Sequence, residues 1–235
     1  MTSTTSVLSR AATAAVTTLA ASTALVAVTA PAHADTVVQD CAGGPVTIAS
    51  TIDDVTLTGV CTDVRIEASN ITVALPGTTS LTITGANLEI TSSGPVGTVV
   101  QGGANNSLAA PSAGDVEVGG GNNEATFAGA VERATLLGGN NTLTVASATR
   151  LLAKGGNQTV RAGTLGSTTI KGSNSSLRAD KAPKLVIKGA NNAVRLSALP
   201  VLKIVGSNNK AIVKKGRTKV SVRGANNVVR VKKRA

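Results

Sequence analysis

Hydrophobic and polar positions alternate along most of this chain, in paired short runs set about a recurring Gly-x-Asn. Apolar residues stand four and two positions before the Gly, as in Val64/Ile66, Leu81/Ile83, Val116/Val118, Leu185/Ile187, Leu202/Ile204 and Val220/Val222. A second set stands five and seven positions after it, as in Val73/Leu75, Leu143/Val145, Val194/Leu196 and Val229/Val231. The residues between them are mostly polar or charged. Alternation with a period of two predicts a β-strand with one face inward. Each unit therefore holds two short strands, and the Gly-x-Asn-Asn between them is the turn. Gly reaches backbone conformations that other residues resist, and Asn tolerates the left-handed region better than most.

The unit recurs. Gly-x-Asn-Asn begins at Gly103, Gly120, Gly138, Gly189, Gly206 and Gly224, with weaker copies at Gly85, Gly155 and Gly172 and one at Ala68 with Ala in place of Gly. Successive starts lie 17 or 18 residues apart. A fixed period of this size means stacked coils. The expected fold is all-β: a β-solenoid of the β-helix or β-roll type with a 17–18-residue coil, two short strands per coil and about ten coils. The regular repeats occupy 68–235, preceded by one or more less regular coils at 35–67.

One column never varies. Two positions past each repeat start stands Asn70, Asn87, Asn105, Asn122, Asn140, Asn157, Asn174, Asn191, Asn208 or Asn226. Stacked coils repeat at about 4.8 Å, a spacing at which identical amides hydrogen-bond along a ladder. The expectation is an internal, structural ladder that satisfies the turn's buried polar groups. A ligand-binding comb is the competing reading. The next position drifts, to Ile71, Leu88, Gln158 and Ser175.

The N-terminus has a different pattern. Arg10 precedes an uncharged run from Ala11 to Ala30, which closes on Ala32-His33-Ala34. This order of basic, apolar and small-x-small segments is that of a secretory signal peptide over 1–34, cut before Asp35. Thr17, Thr18, Ser22 and Thr23 dilute the run too much for a membrane span. The mature form is expected to be secreted, with no transmembrane segment, free or associated with the cell wall.

Phe127 is the sole aromatic residue besides His33. A compact domain of this size normally buries several large rings, so a thin core of Val, Leu, Ile and Ala is implied. Cys41 and Cys61 are the only cysteines. In an exported protein an isolated pair is most simply one disulfide, which would close the N-terminal end. No redox role and no metal site is expected of them.

Cys41-Ala-Gly-Gly, then Gly59-Val-Cys61, then the train of Gly-x-Asn-Asn with flanking Val-x-Val strands resembles the domain-of-unknown-function family numbered 3060, exported repeat proteins found chiefly in actinobacteria. The resemblance spans essentially all of the mature chain. It implies a solenoid fold and export, and it has no activity to lend. This chain departs from it in the Ala at 68 and in a very basic C-terminal half.

Charge divides the molecule. Residues 35–132 carry eleven acids and one base, Arg65, for a net of −10, whereas 133–235 carry twenty-one bases and one acid, Asp180, for a net of +20. The bases fall in columns. Arg161, Arg178, Arg195 and Arg230 lie six positions after the repeat start, interrupted by Ile212. Lys154, Lys171, Lys188 and Arg223 lie one position before it, interrupted by Val205. Two readings stand: a solvated face that keeps the stack soluble, or a docking surface for an anionic cell-wall polymer. Specific nucleic-acid binding is not expected, because no aromatic side chains are available for base stacking. Head-to-tail self-association, acidic half to basic half, is a further possibility.

An enzyme is not expected, and neither is a cofactor. The acids Asp53, Asp54, Asp63, Glu67, Glu89, Asp115, Glu117, Glu124 and Glu132 are mostly single per coil and lack an aromatic platform for sugar. Asn stands where calcium-binding rolls carry a regular Asp. Thr82/Thr84 is not continued into the Thr rows of ice-binding solenoids. The function expected is that of an exported structural or interaction protein of the cell envelope or exterior. An adhesin-like binder of anionic polymer is the alternative, and a carbohydrate-active β-helix the second alternative.

Overall fold

The computed structural model describes residues 36–49 and 54–235. The expected leader over 1–34 and its expected cleavage point lie outside the described residues. Among those described, every regular element is a strand, and all strand pairing is parallel between one coil and the next. The result is a β-solenoid of about eleven turns. The turn beyond the expected ten comes from the cysteine-bearing stretch, which stacks like the rest: Thr36–Asp40 pairs with Asp54–Thr58, and Val46–Ile48 pairs with Cys61–Ile66.

Strands that precede the Gly-x-Asn turn form one parallel sheet, here the pre-turn sheet, and strands that follow it form the post-turn sheet. In the middle of the stack a post-turn strand runs on into the next pre-turn strand as one long element, as in Glu124–Leu136, Thr142–Gly156 and Thr159–Ser173. Where a coil has eighteen residues, the extra one is absorbed at this corner. The pairing of Glu124–Leu136 with Thr142–Gly156 slips between Phe127 and Ala130.

The inward columns are those the alternation predicts. Val194 and Leu196 are 3% and 0% exposed, whereas Arg195 between them is exposed. Leu185 and Ile187 are fully buried. A single continuous core of Val, Leu, Ile and Ala runs the length of the stack, with Phe127 as its largest side chain. Cys41 and Cys61 are both buried and form a disulfide with Cα atoms 5.0 Å apart. A disulfide of this kind fits an oxidising, non-cytoplasmic compartment. No helix among the described residues is long and apolar enough to cross a membrane.

The turn corrects the expectation for the asparagines. The invariant row, Asn70 through Asn226, is exposed rather than internal. All ten of these residues have φ between 56° and 62°. The left-handed conformation, not burial, is what demands Asn here. An amide ladder does form from Asn70 to Asn157, on the outside: each Nδ2 donates to the preceding coil's Oδ1, for example Asn87 to Asn70 at 2.8 Å and Asn157 to Asn140 at 2.9 Å. The buried polar ladder is the next column, Asn106, Asn123, Asn141, Asn192 and Asn209, which is at most 1% exposed. There Asn192 Oδ1 accepts the Ser175 N–H at 2.9 Å, and Asn192 Nδ2 donates to the Gly172 carbonyl at 2.9 Å. Gln158 and Ser175 fill the same column with shorter or longer polar groups, and Ile71 and Leu88 fill it with apolar ones.

The repeat-start glycines are held by close approach between coils. A Cβ built on Gly189 would run into the Gly172 carbonyl oxygen, and one on Gly172 would run into that of Gly155. Only Gly lets successive turns stack this tightly.

Candidate polyanion-binding surface

Because each turn fixes which residues point out, every outward position becomes a row running along the stack. Neighbours in a row are one strand spacing apart, about 4.8 Å. On the post-turn sheet Arg161 pairs with Arg178, and Arg178 pairs with Arg195. Ile212 then intervenes before Arg230. On the pre-turn sheet Lys154 pairs with Lys171, and Lys188 is followed by Val205 and then Arg223. All eight of these cations are exposed. The two four-member columns expected from the sequence are therefore real rows, one on each sheet.

The pre-turn sheet carries another basic row besides the two expected from the sequence. Arg133 pairs with Arg150, and the row continues through Ser167 to Lys184 and through Val201 to Lys219. It lies five positions before the repeat start, beside the corner where the extra residue of long coils is absorbed. Its gaps at Ser167 and Val201 leave no run of more than two bases, which is why it does not stand out in the sequence.

The cations are almost wholly without acidic partners. Among the described residues two ion pairs form, Arg65 with Glu67 and Arg133 with Asp115, the latter at 3.0 Å. The second pair sits at the boundary where the pre-turn face changes sign, from Asp115 and Glu117 in one coil to Arg133 in the next. Shallow grooves lie beside the rows. On the post-turn face a groove of about 310 Å³ is bordered by Arg161, Arg178, Asp180, Arg195 and Lys214. On the pre-turn face a groove of about 260 Å³ is bordered by Arg133, Arg150 and Lys171, with Leu152 and Thr169 in its lining.

Glu117 and Glu124 lie on strands of different sheets, on either side of the turn at Gly120. Among the described residues no three His, Cys, Asp or Glu side chains lie close enough to hold a metal ion. Compared with protein-family models, with curated proteins and with solved structures, the chain finds no match in any of the three.

Proposed function

We propose that this chain is an exported, non-enzymatic interaction protein of the cell envelope or exterior, whose C-terminal half docks on an anionic envelope polymer. The observation that carries this reading is the set of in-register, exposed basic rows in which, among the described residues, Arg133 alone forms an ion pair. Like charges one strand spacing apart repel, and a row of them is an electrostatic match for a chain of fixed negative charges. Export is supported by the leader pattern and by the disulfide. Membership of the family that the Cys pair and the Gly-x-Asn-Asn train resemble belongs to the same proposal.

The test is retention of the purified mature chain on immobilised anionic wall polymer as salt is raised. Counterion release makes such binding fall steeply with ionic strength. The chain is expected to be held at low salt, released by moderate salt, and not retained on neutral glycan. Indifference to the polymer at low salt would leave the rows with a solubilising role only.

A further inference from the structure

The two sheets are not equivalent as polyanion surfaces. On the post-turn face the Arg161 row is broken by Ile212, with Lys210 and Lys214 flanking the break, and it has an acid, Asp180, among its outward positions. The pre-turn face instead carries two parallel basic rows, the Lys154 row and the Arg133 row, four residues apart along each strand. At the rise of an extended strand that separation is about 13 Å. Between them runs a floor of Thr135, Leu152, Thr169 and Val186, all half-buried and in direct register.

The gaps in the two rows are complementary. Where Ser167 interrupts one, Lys171 stands in the other. In the one coil where both rows fail, at Val201 and Val205, the floor position itself is Lys203, which is exposed. From Arg133 to Arg223 every coil therefore presents at least one cation on this face, and acids stand only at its first end, where Glu132 precedes Arg133 and Asp115 pairs with it.

We infer that the pre-turn face is the polymer site: a trough along the solenoid axis that takes one linear phosphodiester chain lying on the floor between two basic rails. This deepens the proposed docking on anionic polymer and rests on it. The charge runs along a line rather than spreading over a plane, which suits a chain and not a lipid surface. The rails are mostly Lys, a point charge that suits phosphate without demanding bidentate geometry. The floor is aliphatic and hydroxylated with no aromatic ring, which suits a flexible polyol backbone rather than stacked bases or sugar rings. The trough spans five coil steps, about 24 Å.

Two triple variants of the mature chain test this: Lys154→Ser, Lys171→Ser, Lys188→Ser on the pre-turn face, and Arg161→Ser, Arg178→Ser, Arg195→Ser on the post-turn face. They lie in the same three coils, remove the same charge, and change only exposed side chains. Purified poly(glycerol phosphate) is the probe, with hyaluronan and phosphatidylglycerol vesicles as comparators. Wild type should lose on the order of 10³-fold in affinity between 50 and 200 mM salt if most of the trough is engaged. The Lys triple should reduce the slope of log affinity against log salt by about 2, the Arg triple should leave it near the wild-type value, and Lys→Arg replacement of the same three positions should restore it. Affinity per molecule should rise with polymer length and level off once the chain spans the trough.

Equal losses from both triples, or a loss confined to the Arg triple, would overturn the assignment while leaving polymer docking intact. Hyaluronan or vesicles bound as tightly as poly(glycerol phosphate) would overturn the choice of a phosphodiester chain. Wild type that binds no polymer at all would remove the docking proposal itself.

Discussion

Adjacent asparagines in one turn should respond to mutation in opposite ways. Asn191 is exposed with φ of 57°, and its side chain lies outside the run of the outer amide ladder. Asn192 is 1% exposed. Its Oδ1 accepts the Ser175 amide at 2.9 Å, and its Nδ2 reaches the Gly172 carbonyl at 2.9 Å and Asn209 Oδ1 at 3.0 Å. Truncation to Ala at 192 leaves a buried N–H without its acceptor and takes the donor from a half-buried carbonyl. At about 1–3 kcal/mol for each such group, Asn192→Ala should cost about 2–6 kcal/mol. Asn191→Ala loses no buried partner and retains only the strain of a left-handed Cβ residue, about 1 kcal/mol. Asn191→Gly removes even that and should be close to neutral. With no Trp or Tyr in the chain, fluorescence is a poor probe, so urea unfolding is followed by far-UV circular dichroism. Solenoids can melt in parts, so hydrogen exchange at the Ser175 amide is the local check. It should lose protection in Asn192→Ala and keep it in Asn191→Gly. If Asn191→Ala were as damaging as Asn192→Ala, or the Ser175 amide stayed protected without the Asn192 side chain, the division of roles within the turn would be wrong.

Ile187→Ala, which opens a cavity at a fully buried position between Ile170 and Ile204, should cost about 2–5 kcal/mol in the same urea assay. A value under about 1 kcal/mol would mean that the column is not packed as described. Intact-mass measurement of the secreted chain without reduction should show the loss of two hydrogens, and two alkylatable thiols would refute the Cys41–Cys61 bond. Removing that bond with Cys41→Ser and Cys61→Ser should destabilise the first coils by about 3 kcal/mol, the worth of closing a loop of this length in the unfolded chain.

The strands and their register were legible because the side-chain period in a strand is two and each coil repeats the pattern. A one-residue error would have turned Arg195 into the core, and it is exposed. The asparagine row shows where such reading stops. Invariance down a column says that the position tolerates one residue type, and a demand for left-handed backbone produces the same invariance as a demand for a buried amide. Only φ and burial separate the two, and they put Asn191 outside and Asn192 inside. The inward column varies because its space admits either an amide that bonds to the turn carbonyls or an apolar side chain such as Leu88. The Arg133 row was illegible for a different reason. Gaps at Ser167 and Val201 break it into pieces too short to count as a pattern.

The charge rows also bear on what the fold itself requires. Five pairs of like charges stand directly side by side: Arg133/Arg150, Lys154/Lys171, Arg161/Arg178, Arg178/Arg195 and Arg217/Lys233. At up to about 1 kcal/mol each, such pairs cost the stack roughly 1–5 kcal/mol in total at low salt. One coil of the core offsets that, since Leu177, Leu185 and Ile187 are each buried and such side chains contribute about 1.5–3 kcal/mol apiece. The solenoid therefore tolerates its rows without a ligand, but gains nothing from arranging them in line. Solubility is served as well by interspersed charges of both signs, and edge protection needs only the last strand. Same-sign rows that continue across six coils, with a cation on the pre-turn face of each, have a physical use when a line of opposite charge lies against them. A bound polyanion would replace the repulsion with attraction and, by mass action, stabilise the coils it covers.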